Sequence, residues 1–161
     1  MVTFHPMTET EFEAFLQMSY DSFADDLLRE EPLMTREAAL QEARSEVGEL
    51  LPKGLKTPAQ YLLTIFNEEN TAVGYLWYDL MGRSKAFIDD FYIFPEYRRK
   101  GYALSALKVL EEFLKGQKIP HITLHVFENN TAARCLYEKA GLEYVQMERA
   151  QKGSLYMFKR I

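Results

Sequence analysis

Between Phe87 and Lys115 the chain reads as a strand handing over to a helix through a basic, glycine-bearing turn, and no other stretch restricts the possible folds as strongly. Phe87 to Phe94 is apolar and aromatic enough for a buried strand. Pro95, Glu96 and Tyr97 form a short hinge, and Arg98-Arg99-Lys100-Gly101-Tyr102-Ala103 opens a helix. In that helix Leu104, Leu107, Leu110 and Leu114 recur at spacings of three and four, so one apolar face must lie on a sheet. The start of such a helix gathers free backbone N–H groups and cations in one place, which is the chemistry of an anion site, best suited to a phosphate. Without an anion, the three cations would stand against the positive end of the helix, which is unfavourable.

The flanking segments supply a sheet for that helix to cover. Val2 and Phe4 alternate with Thr3 and His5 in a short N-terminal strand over Met1 to Met7. Thr8 precedes Glu11 at capping-box spacing, and Phe12, Phe15 and Leu16 follow at helical intervals, predicting a helix from Glu9 to about Leu28. Pro32 breaks it, and Thr35 caps a second helix through Ala38, Ala39, Ala43, Val47 and Leu50. Leu51 to Pro58, with two prolines and a glycine, is a loop. Gln60–Asn67 and Ala72–Leu80 form a hairpin around Glu68-Glu69-Asn70, and Met81 to Lys85 turns into the Phe87 strand. After Gly116 comes a strand over His121–Phe127, with Ile122, Leu124 and Val126 on one face. Asn129 and Asn130 cap a last helix through Ala133, Leu136, Tyr137 and Ala140, closed by Gly141. Leu142–Met147 and Leu155–Arg160 are two final strands. The strand–helix–strand unit from Phe87 to Phe127 requires a right-handed crossover and hence a parallel pair. The sheet is therefore mixed, mostly antiparallel, with ligands expected at the carboxyl ends of its parallel strands, where Ile93, Arg98 and Asn130 fall.

Composition narrows the setting. One domain over residues 1–161 is expected from the length, and no apolar run approaches a membrane span. The N-terminus lacks a signal-peptide pattern and Cys135 stands alone, both of which fit a cytoplasmic, reducing compartment. Three histidines and one cysteine without ligand spacing give no metal site. A net charge of −5 argues against a nucleic-acid partner. Residues 8 to 50 hold twelve acids against three bases, so the rest of the chain carries a net positive charge. A basic anion turn beside an acidic N-terminal third points to two ligands of opposite charge.

Ile93-Phe94-Pro95-Glu96-Tyr97-Arg98-Arg99-Lys100-Gly101-Tyr102-Ala103 resembles the acetyl-CoA motif of the GNAT acetyltransferase superfamily, with Ala103 where glycine is more usual. Leu124, Val126, Asn130, Ala133, Leu136, Tyr137 and Gly141 stand where that family has a strand, a cofactor asparagine and a Leu-Tyr-x-x-x-Gly run. The Leu51–Pro58 loop looks like that of little-characterised bacterial members. The resemblance implies an α/β (α+β) GNAT fold of about seven strands, with a central parallel pair and about four helices. It implies an acetyl-CoA-dependent N-acetyltransferase. Its cofactor contacts would come from Phe91, Tyr92, Ile93, Arg98, Arg99, Lys100, Gly101, Tyr102, Ala103, Asn130, Ala133 and Tyr137.

Acetyl transfer to an amine needs a proton acceptor for the nitrogen and a donor for the leaving sulfur. By resemblance Tyr137 is the hydroxyl beside the thioester sulfur. For the base, His125 faces away from Leu124 and Val126 and has an ordinary pKa suited to neutral pH. Asp89 and Asp90 are the other candidates. Adjacent strand residues point to opposite faces, so at most one lines a cleft, and family position favours Asp90. A water remains an alternative. Cys135 reads as a small core residue rather than a nucleophile, since no histidine is placed to activate it. The acceptor is expected to be a small-molecule or peptide amine, cationic in view of the acidic helices, and walled by Tyr20, Phe23, Trp77 and Tyr78. The same fold allows a catalytically inert acyl-CoA sensor instead. Monomer and homodimer are equally compatible with the sequence.

Overall fold

The computed structural model describes residues 1–161. Its strands are β1 (Thr3–Pro6), β2 (Gln60–Phe66), β3 (Ala72–Met81), β4 (Lys85–Ile93), β5 (His121–Phe127), β6 (Glu143–Val145) and β7 (Ser154–Arg160). The helices are α1 (Glu9–Glu30), α2 (Arg36–Leu50), α3 (Tyr102–Gly116) and α4 (Thr131–Lys139). All seven strands join one sheet in the order β1-β2-β3-β4-β5-β7-β6. β4 and β5 are its one parallel pair, as the crossover through α3 requires.

Helices cover both faces, and the alternation of side chains along β3 sorts them. Leu76 and Tyr78 join a core with Leu107, Leu110 and Leu114 of α3, Tyr137 of α4, and Ile88, Leu124 and Met157 of the sheet. Tyr75 and Trp77 point the other way, against Phe12 and Phe15 of α1 and Val47 of α2. Tyr78 is thus buried on the face away from α1 and α2 and stacks on Tyr61, so it takes no part in an acceptor wall. Trp77 lies under α1 but is nearly inaccessible, its indole N–H donating to Gln60 Oε1 at 2.6 Å.

α1 begins where the pattern says it should. The Thr8 hydroxyl accepts from the Glu11 N–H, and the Glu11 carboxylate accepts from the Thr8 N–H. The helix runs to Glu30, two residues beyond the expected end, and carries Ser19 in its buried stripe with Phe12 and Phe15. No helix is long and apolar enough to cross a membrane.

Candidate active site

The sheet opens at one place. β4 and β5 pair only through Ala86 with Ile122, Phe87 with Thr123 and Ile88 with Leu124. Beyond that, β4 continues along β3 as far as Ile93 opposite Gly74, while β5 continues along β7 as far as Phe127 opposite Ser154. Beyond Ile88 β4 therefore has no strand on its β5 side; the backbone groups of Phe91 and Ile93 face that opening, while those of Tyr92 bond toward Tyr75 of β3. The chain leaves both strands at this opening and enters α3 and α4 there, so two helix N-termini converge on the carboxyl ends of the parallel pair.

At the start of α3 the turn is built for an anion. Pro95–Tyr97 forms a 3-10 turn that uses the Arg98 N–H, donated to Pro95 O at 3.3 Å. The next six N–H groups, Arg99 to Leu104, donate to no acceptor within the chain, and the first helical bond comes from Ser105 to Gly101 O. The free run is thus shifted one residue onward from the Arg98–Ala103 span that the sequence indicates. Arg99 and Gly101 both adopt positive φ (61° and 83°), which folds successive N–H groups toward one side. Gly101 is the helix cap and offers no side chain of its own to these donors.

The cations of the turn divide their work. Arg98 turns back, donating Nε–H to Ile93 O at 2.8 Å and laying its guanidinium over Tyr92 at 4.9 Å from the ring centroid. Lys100 lies over Tyr97 at 5.7 Å. Arg99 is exposed and makes no hydrogen bond within the chain, so it is the most available to a solvent-side phosphate. Tyr102 packs edge-on to Tyr97 and accepts a hydrogen bond from Asn67.

Across the opening, Asn130 caps α4 by accepting the Ala133 N–H at 3.2 Å, which leaves its amide NH₂ unused. One turn beyond Ala133, Tyr137 is buried on the inner face of α4. Burial, and secondarily the charge of Asp90, raises its phenol above the ordinary range. Tyr137 and Asp90 are 47 positions apart in sequence, yet the fold sets them within electrostatic reach of one another.

A splayed parallel pair, a helix start with free N–H groups and a buried tyrosine form a recognisable set, and the comparisons with known proteins agree with it. The model of the acetyltransferase (GNAT) family matches residues 16–142. The chain is 32% identical to the uncharacterized N-acetyltransferase YycN of Bacillus subtilis, over 91% of this chain and 96% of that one. It belongs to the GNAT acetyltransferase family. The crystal structure of YycN superposes with a TM-score of 0.84, at 31% identity over 94% of this chain and 98% of that one. PaiA N-acetyltransferase from Thermoplasma acidophilum, solved with coenzyme A, shares the fold at a TM-score of 0.74 and 18% identity, covering 100% of this chain and 99% of that one. The protein is an acyltransferase of the N-acetyltransferase type.

In this acetyltransferase the base candidates separate clearly. The β3–β4 register slips between Trp77 and Tyr78: Trp77 opposes Asp90 and Tyr78 opposes Ile88, leaving Asp89 as the extra residue of a β-bulge. The bulge cancels the strict alternation expected of neighbouring strand residues. Asp90 shares the face of Trp77, toward α1, where it accepts from the Ser19 hydroxyl at 3.0 Å. Asp89 is not sent to the opposite face; it lies against Asp79, which is also on the Trp77 side of β3. Burial pushes Asp90 up to about 6, with the Ser19 hydroxyl and the Phe91 N–H holding it down and Asp26 adding to the rise. Asp89 is raised further by burial and by Asp79.

His125 stands apart from this group. Its Nε2 meets Ser154 Oγ at 2.9 Å, and its ring packs against Phe127 and Tyr156. Burial lowers its pKa, so the imidazole is neutral, and no carboxylate contributes to that shift. Cys135 is exposed on α4 rather than in the core. Ser19 and Asp79 are the site residues that motif reading misses. Ser19 carried a signal, since a lone hydroxyl in an apolar helical stripe needs a partner; Asp79 carried none before the register was known.

Proposed function

We propose that this acetyltransferase moves the acetyl group of acetyl-CoA to a cationic primary amine, by direct attack in a ternary complex formed within one domain spanning residues 1–161. The six consecutive free N–H groups from Arg99 to Leu104 carry the cofactor half of this reading. They suit a pyrophosphate, with Arg99 beside it and Asn130 and Ala133 on the other lip of the opening. The opened edge at Phe91 and the Ile93 N–H suits the amide groups of the pantetheine arm, which can hydrogen-bond as an added strand does.

In the proposed chemistry Asp90 takes a proton from the acceptor ammonium, and the neutral amine attacks the thioester carbonyl. The C–S bond then breaks, and Tyr137 donates its hydrogen bond, and ultimately a proton, to the leaving sulfur. The nitrogen's second proton replaces the one Tyr137 has given up. The electrostatic coupling of the two groups fits their order of use: once Asp90 is protonated its charge no longer opposes ionisation of Tyr137, so the acid strengthens as the sulfur departs. His125, neutral and bonded to Ser154, is an alternative proton acceptor on this reading, placed second because no titratable partner couples it to Tyr137.

The cationic acceptor is supported by the acidic character of residues 8–50 and by Asp26 of α1 acting on Asp90 in the strand below it. Thiol release measured over a panel of amines tests this. A diamine or basic peptide should exceed a neutral hydroxylated amine of equal nitrogen basicity by at least about tenfold in kcat/KM, the size of one modest charge contact. Equal values across the panel would remove the acceptor assignment while leaving acetyl transfer intact.

A further inference from the structure

One half-buried acid next to the reaction centre, with one oxygen fully enclosed, has no task in the mechanism. Asp89 Oδ2 is buried and meets no hydrogen-bond donor. Asp89 is held there by the bulge, because the register gives it no partner on β3. The charged groups that act on it are both carboxylates, Asp79 from β3 and Asp90 from its own strand. From α1, Asp26, ion-paired to Arg29, acts on the neighbouring Asp90. From α4, the neutral phenol of Tyr137 interacts with Asp90. A buried carboxylate oxygen facing another carboxylate, with no cation or donor in reach, is costly unless a proton lies between them.

We propose that Asp79 and Asp89 share one proton and act as a positioning pair for Asp90, a role that rests on reading Asp90 as the base. The shared proton makes a hydrogen bond across the β3–β4 junction and closes the bulge, whose shape turns Asp90 toward Ser19 and α1. It also leaves one charge beside Asp90 rather than two, which limits how far the neighbouring carboxylates raise Asp90. Asp89 is raised well beyond ordinary carboxylates, in keeping with a retained proton.

Infrared difference spectroscopy of the full chain at pH 8 tests the pair without reference to activity. The expected result is a protonated-carboxyl C=O band in the wild type that is lost in both Asp79→Asn and Asp89→Asn and kept in Asp90→Asn. Absence of that band in the wild type would overturn the proposal, as it would mean a fully ionised pair, alone or around a bound cation. The pH–rate profile tests the function of the pair. Asp89→Asn mimics the protonated member and should keep the acid limb and kcat within about twofold. Asp89→Ala should lower kcat at least about tenfold with little change in KM for acetyl-CoA. The double Asp79→Asn/Asp89→Asn variant, which removes the remaining charge, should move the acid limb down by roughly half a pH unit. If Asp89→Asn by itself moves the limb down, two charges were present and the proposal fails. If Asp90→Asn leaves the limb in place, Asp90 is not the base, and the carboxyl band still decides whether the proton is shared.

Discussion

The two halves of β4 are built from similar residues and do different work. Ala86–Ile88 is paired on both sides, by β3 and by β5, and is ordinary sheet. Residues 89–93 keep β3 alone, carry the bulge, and hold two carboxylates beside a free backbone edge. The first half has a partner strand on each side; the second leaves one side without a strand. The lesson is that sheet geometry, more than residue type, separates the structural part of this strand from its reactive part.

The sharpest way to break the comparison is to remove the chemistry from the second half and leave the first alone. Asp90→Asn and Tyr137→Phe are each expected to lower kcat about 10²- to 10⁴-fold with KM for acetyl-CoA changed by less than about threefold. His125→Gln should cost under about tenfold in steady-state thiol release if Asp90 is the base. A reversal of that ranking would transfer the role to His125.

Next in size is the packing that holds the open half against β3. A Cβ on Gly74 would stand 2.2 Å from Tyr92 O and 3.0 Å from the Ile93 side chain. Backbone cannot yield as a side-chain tip can, so Gly74→Ala should destabilise by roughly 2–4 kcal/mol in denaturant unfolding and raise KM for acetyl-CoA. Gly48→Ala in α2, where a Cβ meets nothing within 4 Å, is the control, and it should be neutral or slightly stabilising.

Proton linkage gives an effect of similar or smaller size. Asp90 is raised to about 6 in the folded protein against an ordinary carboxylate value near 4. Its folded form therefore binds the proton more tightly than the unfolded chain does, so this group favours folding below about pH 4. That contribution is lost as pH rises through about 6. Asp90→Asn should accordingly be more stable than wild type at neutral pH, by on the order of 2 kcal/mol, with the gap closing in acid. Thermal unfolding between pH 4 and pH 8 would show it, and parallel curves would contradict the assigned shift. The same group predicts that wild-type kcat/KM falls below about pH 6 and that Asp90→Asn lacks that limb.

Smallest is the cap of α4. Asn130→Ala removes the acceptor for the Ala133 N–H and should cost about 1 kcal/mol of stability. If the unused amide NH₂ also reaches the cofactor, KM for acetyl-CoA rises with it; Asn130→Asp, which keeps the cap and loses the donor, separates the two effects.

Much of this molecule was legible in its sequence because the deciding interactions are local. The capping box at Thr8, the leucine spacing of α3 and the glycine of the turn each act within a few residues. The order of elements then forced a parallel β4–β5 pair by crossover handedness. The family motifs carried Arg98–Ala103, Asn130 and Tyr137 to the opening where the structure holds them. The errors share one cause. Neighbouring carboxylates were expected on opposite faces, Tyr78 in an acceptor wall, the Arg98 N–H among the free donors and Cys135 in the core. Each of these depends on register, on a turn's hydrogen bond or on which helix lies above which strand.

Local spacing alone therefore determined that this chain makes a mixed sheet with an anion turn between its fourth strand and third helix, since caps, periodicity and positive-φ glycine act over short range. Tertiary structure alone decided that β4 and β5 part after Ile88, that Asp89 bulges against Asp79, and that Asp90 meets Ser19 and comes within reach of Tyr137. Those outcomes depend on how two strands slip past each other and on the dielectric around buried charges. Neither is set until the whole sheet has formed and the helices have covered it.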